Sequence, residues 1–506
     1  MGAANWITLL LTHPNEFRTL LQFWLYHEQK RDITSMKEHP TSGWDRSSMR
    51  RCWEFLDMTS RSFAAVIKEL DGDLARVVCL FYLVLRGLDT IEDDMTIPDE
   101  KKQPILRSFH ELTVKPGWTF NECGPDEKDR QLLVEYDKVV AELNHLSPEY
   151  VSPPVSAAKE LINLCRYRNV ILSITRKMAH GMADFAHRAA TAPKSKPLYL
   201  STIAEYDLYC HYVAGLVGEG LSGLFSASKK EASWLADQLE LSNSLGLLLQ
   251  KTNIIRDYRE DVDQGRYFWP KEIWGQEKYG FKDMKDMYAP DAKERAQWVQ
   301  SEMVLDAMRH LVDGLDYLRL LKNQSVFVFC AIPASMAIAT LELCFMNPDM
   351  FQRNIKIRKA AAADLIMRST NPRDVADIFR TYSRKIHAKA SPADPNFLRI
   401  SIEQWYEHNY PSFVRLPQSS GEAPTFDPED ARTKIYEIDQ KKDMELRKRR
   451  RVEEIQAKYG KVDVPDDQQT NADGFPWEVI LYALGAFAMI GTLVGAVIFV
   501  ILRYSD

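Results

Sequence analysis

Between about residue 45 and residue 415, apolar side chains recur at helical spacing almost without interruption. Segments such as 73–94, 161–186, 206–226, 242–262 and 324–345 have helical length and few breakers inside them. The sequence has no series of short alternating runs joined by hairpin turns, no strand–helix alternation and no repeat of fixed short period. The pattern predicts an all-α domain over 45–415, preceded by an N-terminal segment at 1–44. From Pro417 the composition changes: Pro417 to Pro424 reads as linker, 427–460 as a highly charged, solvated helix, and 465–474 as a second polar connection. These make up a charged segment over 416–476.

The C-terminal region has a different pattern. Val479 to Leu502 is 24 residues without a charge, flanked by Trp477 on one side and by Arg503 and Tyr504 on the other. As a helix it would be about 36 Å long, enough to cross a hydrocarbon core of about 30 Å with some tilt. Residues 477–503 are therefore expected to form one transmembrane tail anchor, with everything before it facing the cytosol. The N-terminal apolar run, Trp6 to Leu11, is too short for a signal-peptide core, and Trp6 stands where a myristoylation signal wants Ser or Thr.

Composition narrows the function. With Lys and Arg at 65 against Asp and Glu at 71, the net charge is −6, so no nucleic-acid partner is expected. Seven scattered cysteines with no Cys-x-x-Cys pair argue against a disulfide scaffold or a zinc site and fit a reduced compartment. The basic run Arg447 to Arg451 reads equally as a solvated helix face and as an attraction to anionic headgroups.

Two acidic segments carry the candidate chemistry. Asp89-Thr-Ile-Glu92-Asp93 and Asp257-Tyr-Arg-Glu260-Asp261 share the pattern D-x-x-E-D, 168 residues apart, each at the end of an apolar helical run. On a helix, positions i, i+3 and i+4 share a face, so each segment is expected to aim three carboxylates at one place. Polar stripes continue upstream: Tyr82, Arg86, Asp89 and Asp93 in the first, and Gln250, Asn253, Asp257 and Asp261 in the second. Two unit charges 4 Å apart repel by about 4 kcal/mol at an effective dielectric near 20, and a helix C-terminus worsens this. A hard divalent cation relieves it, and Mg²⁺ completes its shell with water and phosphate oxygens. Arg86, Arg256 and Arg266 stand close by in sequence, and arginine suits bidentate phosphate binding. Alone, one such cluster would read as a solvated helix end; two, each with arginine, read as a diphosphate cradle.

At these residues the chain resembles the squalene/phytoene synthase family of head-to-head prenyl transferases. The matching blocks are Thr59-Ser-Arg-Ser-Phe63, Phe81 to Met95, Tyr209 to Gly218, Gln250 to Tyr258, Phe268-Trp-Pro270, Asn323 to Phe327, Cys330-Ala-Ile-Pro333 and Lys356-Ile-Arg-Lys359, in order over roughly 45–365. The resemblance implies an isoprenoid-synthase helical bundle around a central cavity. It implies the joining of two farnesyl diphosphates into presqualene diphosphate, then reduction with NADPH to squalene, by a monomer held at the endoplasmic reticulum membrane. It further implies that Asp89, Glu92 and Asp93 bind Mg²⁺ and one diphosphate, and Asp257, Glu260 and Asp261 the other. Tyr209 would remove the proton in the first half-reaction. Arg61, Arg86, Arg256, Lys356 and Arg358 match basic positions for the cofactor or the diphosphates. Phe329, Cys330 and Pro333 would line the apolar pocket, with Ser62, Phe63, Tyr82, Gln250, Asn253 and Arg266 as further substrate contacts.

Other signals point elsewhere. Gly218-Glu-Gly220-Leu-Ser-Gly223 spells a dinucleotide fingerprint but lacks the preceding strand, so small residues for close helix approach are the expected reading. Asn323-Gln-Ser325 is a sequon only by spelling, and His211 has no partner at metal-ligand spacing. Phytoene synthesis, which needs no reductant, and a silent membrane-tethered adaptor whose acidic clusters bind Ca²⁺ are the rival readings.

Overall fold

The computed structural model describes residues 3–27, 32–146, 158–193 and 199–396, and every regular element among them is helical. The charged segment and apolar run predicted beyond residue 416 lie outside the described residues.

Helices α1 (Ala3–Thr12) and α2 (Pro14–His27) lead into α3 (Ser47–Thr59) and α4 (Arg61–Lys68). Ser60 separates the latter pair and caps α4, its hydroxyl accepting from the Phe63 amide at 3.2 Å. Helix α5 (Asp73–Asp93) is buried on nearly every face, with Leu80, Phe81, Val84 and Leu88 all inside. A helix apolar all round belongs at the centre of a bundle, and each such side chain contributes roughly 1.5–3 kcal/mol by leaving water. Helices α6 (Asp99–Leu112), α7 (Arg130–Val134) and α8 (Asp137–Asn144) follow, and the long α9 (Ala158–Thr191) packs along α6 and α5.

Helix α10 (Ile203–Cys210) passes through one π-helical turn, His211–Gly215, into α11 (Leu216–Ala227). Helix α12 (Leu239–Arg256) packs against α11 and the π turn at very short range. A Cβ on Gly218 would stand 2.4 Å from the Ser242 carbonyl oxygen, and one on Gly246 would stand 2.5 Å from that of Ala214. The glycine motif at 218–223 therefore lies in a helix, where it sets how closely helices approach.

Beyond α13 (Tyr258–Asp263) and α14 (Lys271–Trp274) come α15 (Lys293–Met308), α16 (Leu311–Leu320), α17 (Gln324–Cys344), α18 (Lys359–Arg368) and α19 (Pro372–Lys389). Asn323 is the N-cap of α17, its side chain accepting from the amides of Ser325 and Val326. Among the described residues α17 is the one helix long and apolar enough to cross a membrane, and it is mostly buried in the core beside α12. Helix α2 packs on α18, fastened by the Arg358–Glu16 ion pair at 2.6 Å. All seven cysteines carry free thiols.

Candidate active site

The first acidic cluster occupies the last turn of α5. Asp94, the C-cap, turns away: its carboxylate accepts from the amides of Thr96 and Gly124, both at 2.8 Å, and closes the loop. Burial opposes its ionisation, but these hydrogen bonds prevail and hold it below the ordinary carboxylate range. Glu92 and Asp93 instead line a cavity of about 440 Å³ together with Tyr209, Arg266, Phe185 and Phe268. Burial, then the charges of Asp93 and Asp89, push Glu92 well above its usual range, against Lys102 and Arg266.

Asp89, one turn earlier, opens on a second cavity of about 270 Å³. Arg86, Gln250 and Asn253 stand at its polar side, and Phe63, Tyr82, Phe329, Cys330 and Pro333 line its apolar interior. The proline has a local effect inside α17: lacking an N–H, it leaves the Phe329 carbonyl without its helical donor. Burial raises Asp89 to about 7, opposed by Arg86 4.0 Å away. The Arg86 guanidinium reaches the Tyr82 hydroxyl at 3.3 Å and lies 3.7 Å from Asp129. The stripe Tyr82, Arg86, Asp89, Asp93 is thus real, but it serves two neighbouring cavities.

The second cluster spans a local irregularity: α12 ends at Arg256 and Asp257 is the joint to α13 (φ −92°, ψ 9°), yet the Asp261 amide still donates to the Asp257 carbonyl at 2.9 Å. Arg256 donates to the carboxylate of its own neighbour Asp257 at 2.8 Å. Adjacent side chains on a regular helix do not face each other, so this pairing goes with the break. Asn354 donates to Asp257 at 2.9 Å and to Glu260 at 3.4 Å. Arg256 is therefore bound up with Asp257 and lines neither cavity.

Arg266 joins the two clusters, donating to Asp93 at 2.9 Å and to Asp261 at 2.8 Å. Burial still raises Asp261 to about 7 against that attraction. Among the described residues no three carboxylate, imidazole or thiol side chains stand as a ready-made metal cage. The donor set nonetheless suits a hard cation: carboxylates whose ionisation is opposed by burial and by one another's charge, with one guanidinium joining them.

Tyr209 is buried, stacked on Phe268 at 4.9 Å between ring centres and edge-on to Phe185 at 5.2 Å. Burial, then the charges of Glu92 and Asp93, lift its phenol well above 10. Of the other expected residues, Lys356 and Arg358 are exposed on the approach to α18, and Arg358 holds Glu16. They do not converge with Arg86 or Arg256 on either cavity. The side chains of Arg61 and Ser62 lie outside the described ones.

Sequence reasoning missed Lys102, Asp129 and Asn354. Lys102 is buried in the wall of the larger cavity and donates to the Glu92 carbonyl at 2.7 Å, capping the negative end of α5. The signal was faint: a lysine in the helix directly after the acidic cluster.

Acidic helix ends thus meet beside two cavities lined by aromatic side chains, an arrangement suited to an enzyme. The family described as Squalene/phytoene synthase matches residues 56–361. The chain is 61% identical over 476 residues to the squalene synthase of Ganoderma lucidum, covering 92% of this chain and 98% of that protein. It is 50% identical over 398 residues to the squalene synthase of Schizosaccharomyces pombe, covering 78% and 79%. A solved ligand complex of TcSQS matches with a TM-score of 0.64 and 38% identity, over 72% of this chain and 99% of that one. This chain belongs to the squalene/phytoene synthase family.

Proposed function

We propose that the protein joins two farnesyl diphosphates head to head into presqualene diphosphate and reduces that intermediate with NADPH to squalene. The observation that carries this reading is the pair of adjacent cavities, one opening at Asp89 and the other at Glu92 and Asp93. Each offers an apolar interior for a prenyl chain, with Asp89 at the polar side of one and Glu92 and Asp93 at that of the other for a diphosphate. Bound Mg²⁺ would neutralise the leaving diphosphate, and NADPH would supply the hydride. Asp89, Glu92, Asp93 and Asp261 would hold the metal ions, and Lys356 and Arg358 would hold the cofactor's phosphates. Phe185, Phe268, Phe63 and Tyr82 present aromatic faces to developing positive charge and exclude water that would quench it. With its phenol held neutral by burial, Tyr209 acts as a hydrogen-bond donor to the departing diphosphate, whose oxygens are the stronger base for the coupling proton.

The uncharged run Val479 to Leu502 supports a further reading, that this chain works at the endoplasmic reticulum membrane with its helical domain in the cytosol. A lipophilic product suits release into that bilayer.

The test is the full chain in detergent with farnesyl diphosphate and Mg²⁺. Squalene should form with NADPH and presqualene diphosphate without it; unconsumed farnesyl diphosphate in both would overturn the reading. A pH dependence follows too. Asp89 and Asp261, raised to about 7, carry protons at pH 6 that a metal must displace and are largely ionised at pH 8. Titration calorimetry should find Mg²⁺ binding at least about tenfold tighter at pH 8 than at pH 6. In the metal-free protein the sign is opposite. The folded state holds these protons more tightly than the unfolded chain, so their contribution to stability falls as pH rises from about 4 to about 7.

A further inference from the structure

Helix α12 grips the chain on both sides of Tyr209. Two residues before it, Asp207 lies 2.5 Å from the Lys251 ammonium. Two residues after it, His211 donates through Nδ1 to the Asn243 side-chain oxygen at 2.7 Å, at the start of the π turn. Both partners, Lys251 and Asn243, belong to α12.

The Lys251 contact is unusual in its setting. The lysine is wholly buried, donates to Asp306 of α15 at 2.6 Å and lies 4.9 Å from the centre of the Tyr206 ring. Arg309 pairs with the same two aspartates. Burying an ammonium is costly, and apolar side chains of similar volume stabilise such sites about as well. A charged group here therefore gives definition of position rather than net stability. Asp207 has one place to be, and with it the turn that carries Tyr209. On the other side, the π turn could relax to a regular α-helix, rotating what precedes it, and the His211–Asn243 bond stands where that relaxation would begin.

We propose that Lys251 is a positioning residue for the reaction: together with His211 it fixes the backbone on either side of Tyr209. It thereby sets where the phenol stands, stacked on Phe268 in the cavity that Glu92 and Asp93 also line. The inference deepens the functional reading above and rests on it.

Two readouts on the full chain in detergent test it. In the first, diphosphate release from farnesyl diphosphate with Mg²⁺ is measured for Lys251→Met and His211→Leu. Each should lower kcat by about tenfold while KM stays within about twofold, since the cavities keep their walls and only the phenol moves. A KM that rises as far as kcat falls would mean general loosening and overturn the proposal. The second readout does not depend on turnover. Fluorotyrosine placed at position 209 gives a fluorine resonance set by the stacked Phe268 ring. That resonance should move in both variants while their thermal unfolding stays cooperative. An unmoved resonance in either variant sinks the clamp. Should Lys251→Met not fold, His211→Leu, which removes no buried charge, carries both readouts. Turnover of the unmodified chain reports on the functional reading alone, and the resonance reports on the clamp.

Discussion

Changing Asp93 to Asn should lower diphosphate release from farnesyl diphosphate by about 1,000-fold or more, with the protein still folded. The substitution keeps the shape of the side chain and removes one charge from a place where charge has two uses. Asp93 lines the larger cavity beside Tyr209 and also accepts from Arg266, which in turn holds Asp261. On the proposed function, losing it would remove an anionic ligand for the metal; it also frees Arg266 to settle wholly on Asp261, so both acidic ends are affected by one change. Stability should hardly change, because the Asp93 side chain is half exposed and its ion pair is worth at most about 1 kcal/mol there. Steady-state release of diphosphate, alongside thermal unfolding, checks this. A loss below about tenfold would mean that Asp93 is not a metal ligand in the reaction.

Gly218→Ala should cost about 3 kcal/mol of stability. The new Cβ would lie 2.4 Å from the Ser242 carbonyl oxygen and 3.0 Å from its carbon. These are backbone atoms of α12 and cannot turn aside, so α11 and α12 must move apart. Gly223→Ala is the control. Its Cβ would meet the methyl groups of Val170 at 3.1 and 3.3 Å, which can give way, and it should cost no more than about 1 kcal/mol. Denaturant unfolding of the pair separates the two. Because α12 carries Gln250 and Asn253 into the smaller cavity, Gly218→Ala should also raise KM for the prenyl substrate. Equal costs at both glycines would contradict the close-approach account.

The sequence displayed the helical architecture because its apolar runs are long and rarely broken. Helix α17, apolar on nearly all sides, and α5, apolar outside its stripe of Tyr82, Arg86, Asp89 and Asp93, could only be central. The first acidic cluster was legible for the same reason: Asp89, Glu92 and Asp93 continue one unbroken helix, so spacing alone put them together. The second was half legible. The residue types were right, yet nothing in the spacing reveals that α12 stops at Arg256, since the stop accompanies a pairing between neighbours, Arg256 and Asp257. Lys102 folds back from the next helix, and Asp129 and Asn354 come to the site from segments remote in sequence, through packing that no local periodicity encodes. The Arg358–Glu16 pair was hidden likewise, joining residues 342 positions apart.

Arg266 changes what the proposed divalent cation would meet at the acidic helix ends. In small metal-dependent domains the ion is a structural member, and removing it unfolds the chain. Here the acidic ends already have a guanidinium lodged between them. Under the proposed metal dependence, entry of a cation would be an exchange of one positive charge for another rather than the filling of an electrostatic void. A protein built this way should keep its fold in the presence of a chelator, its scaffold independent of the cation proposed for its chemistry.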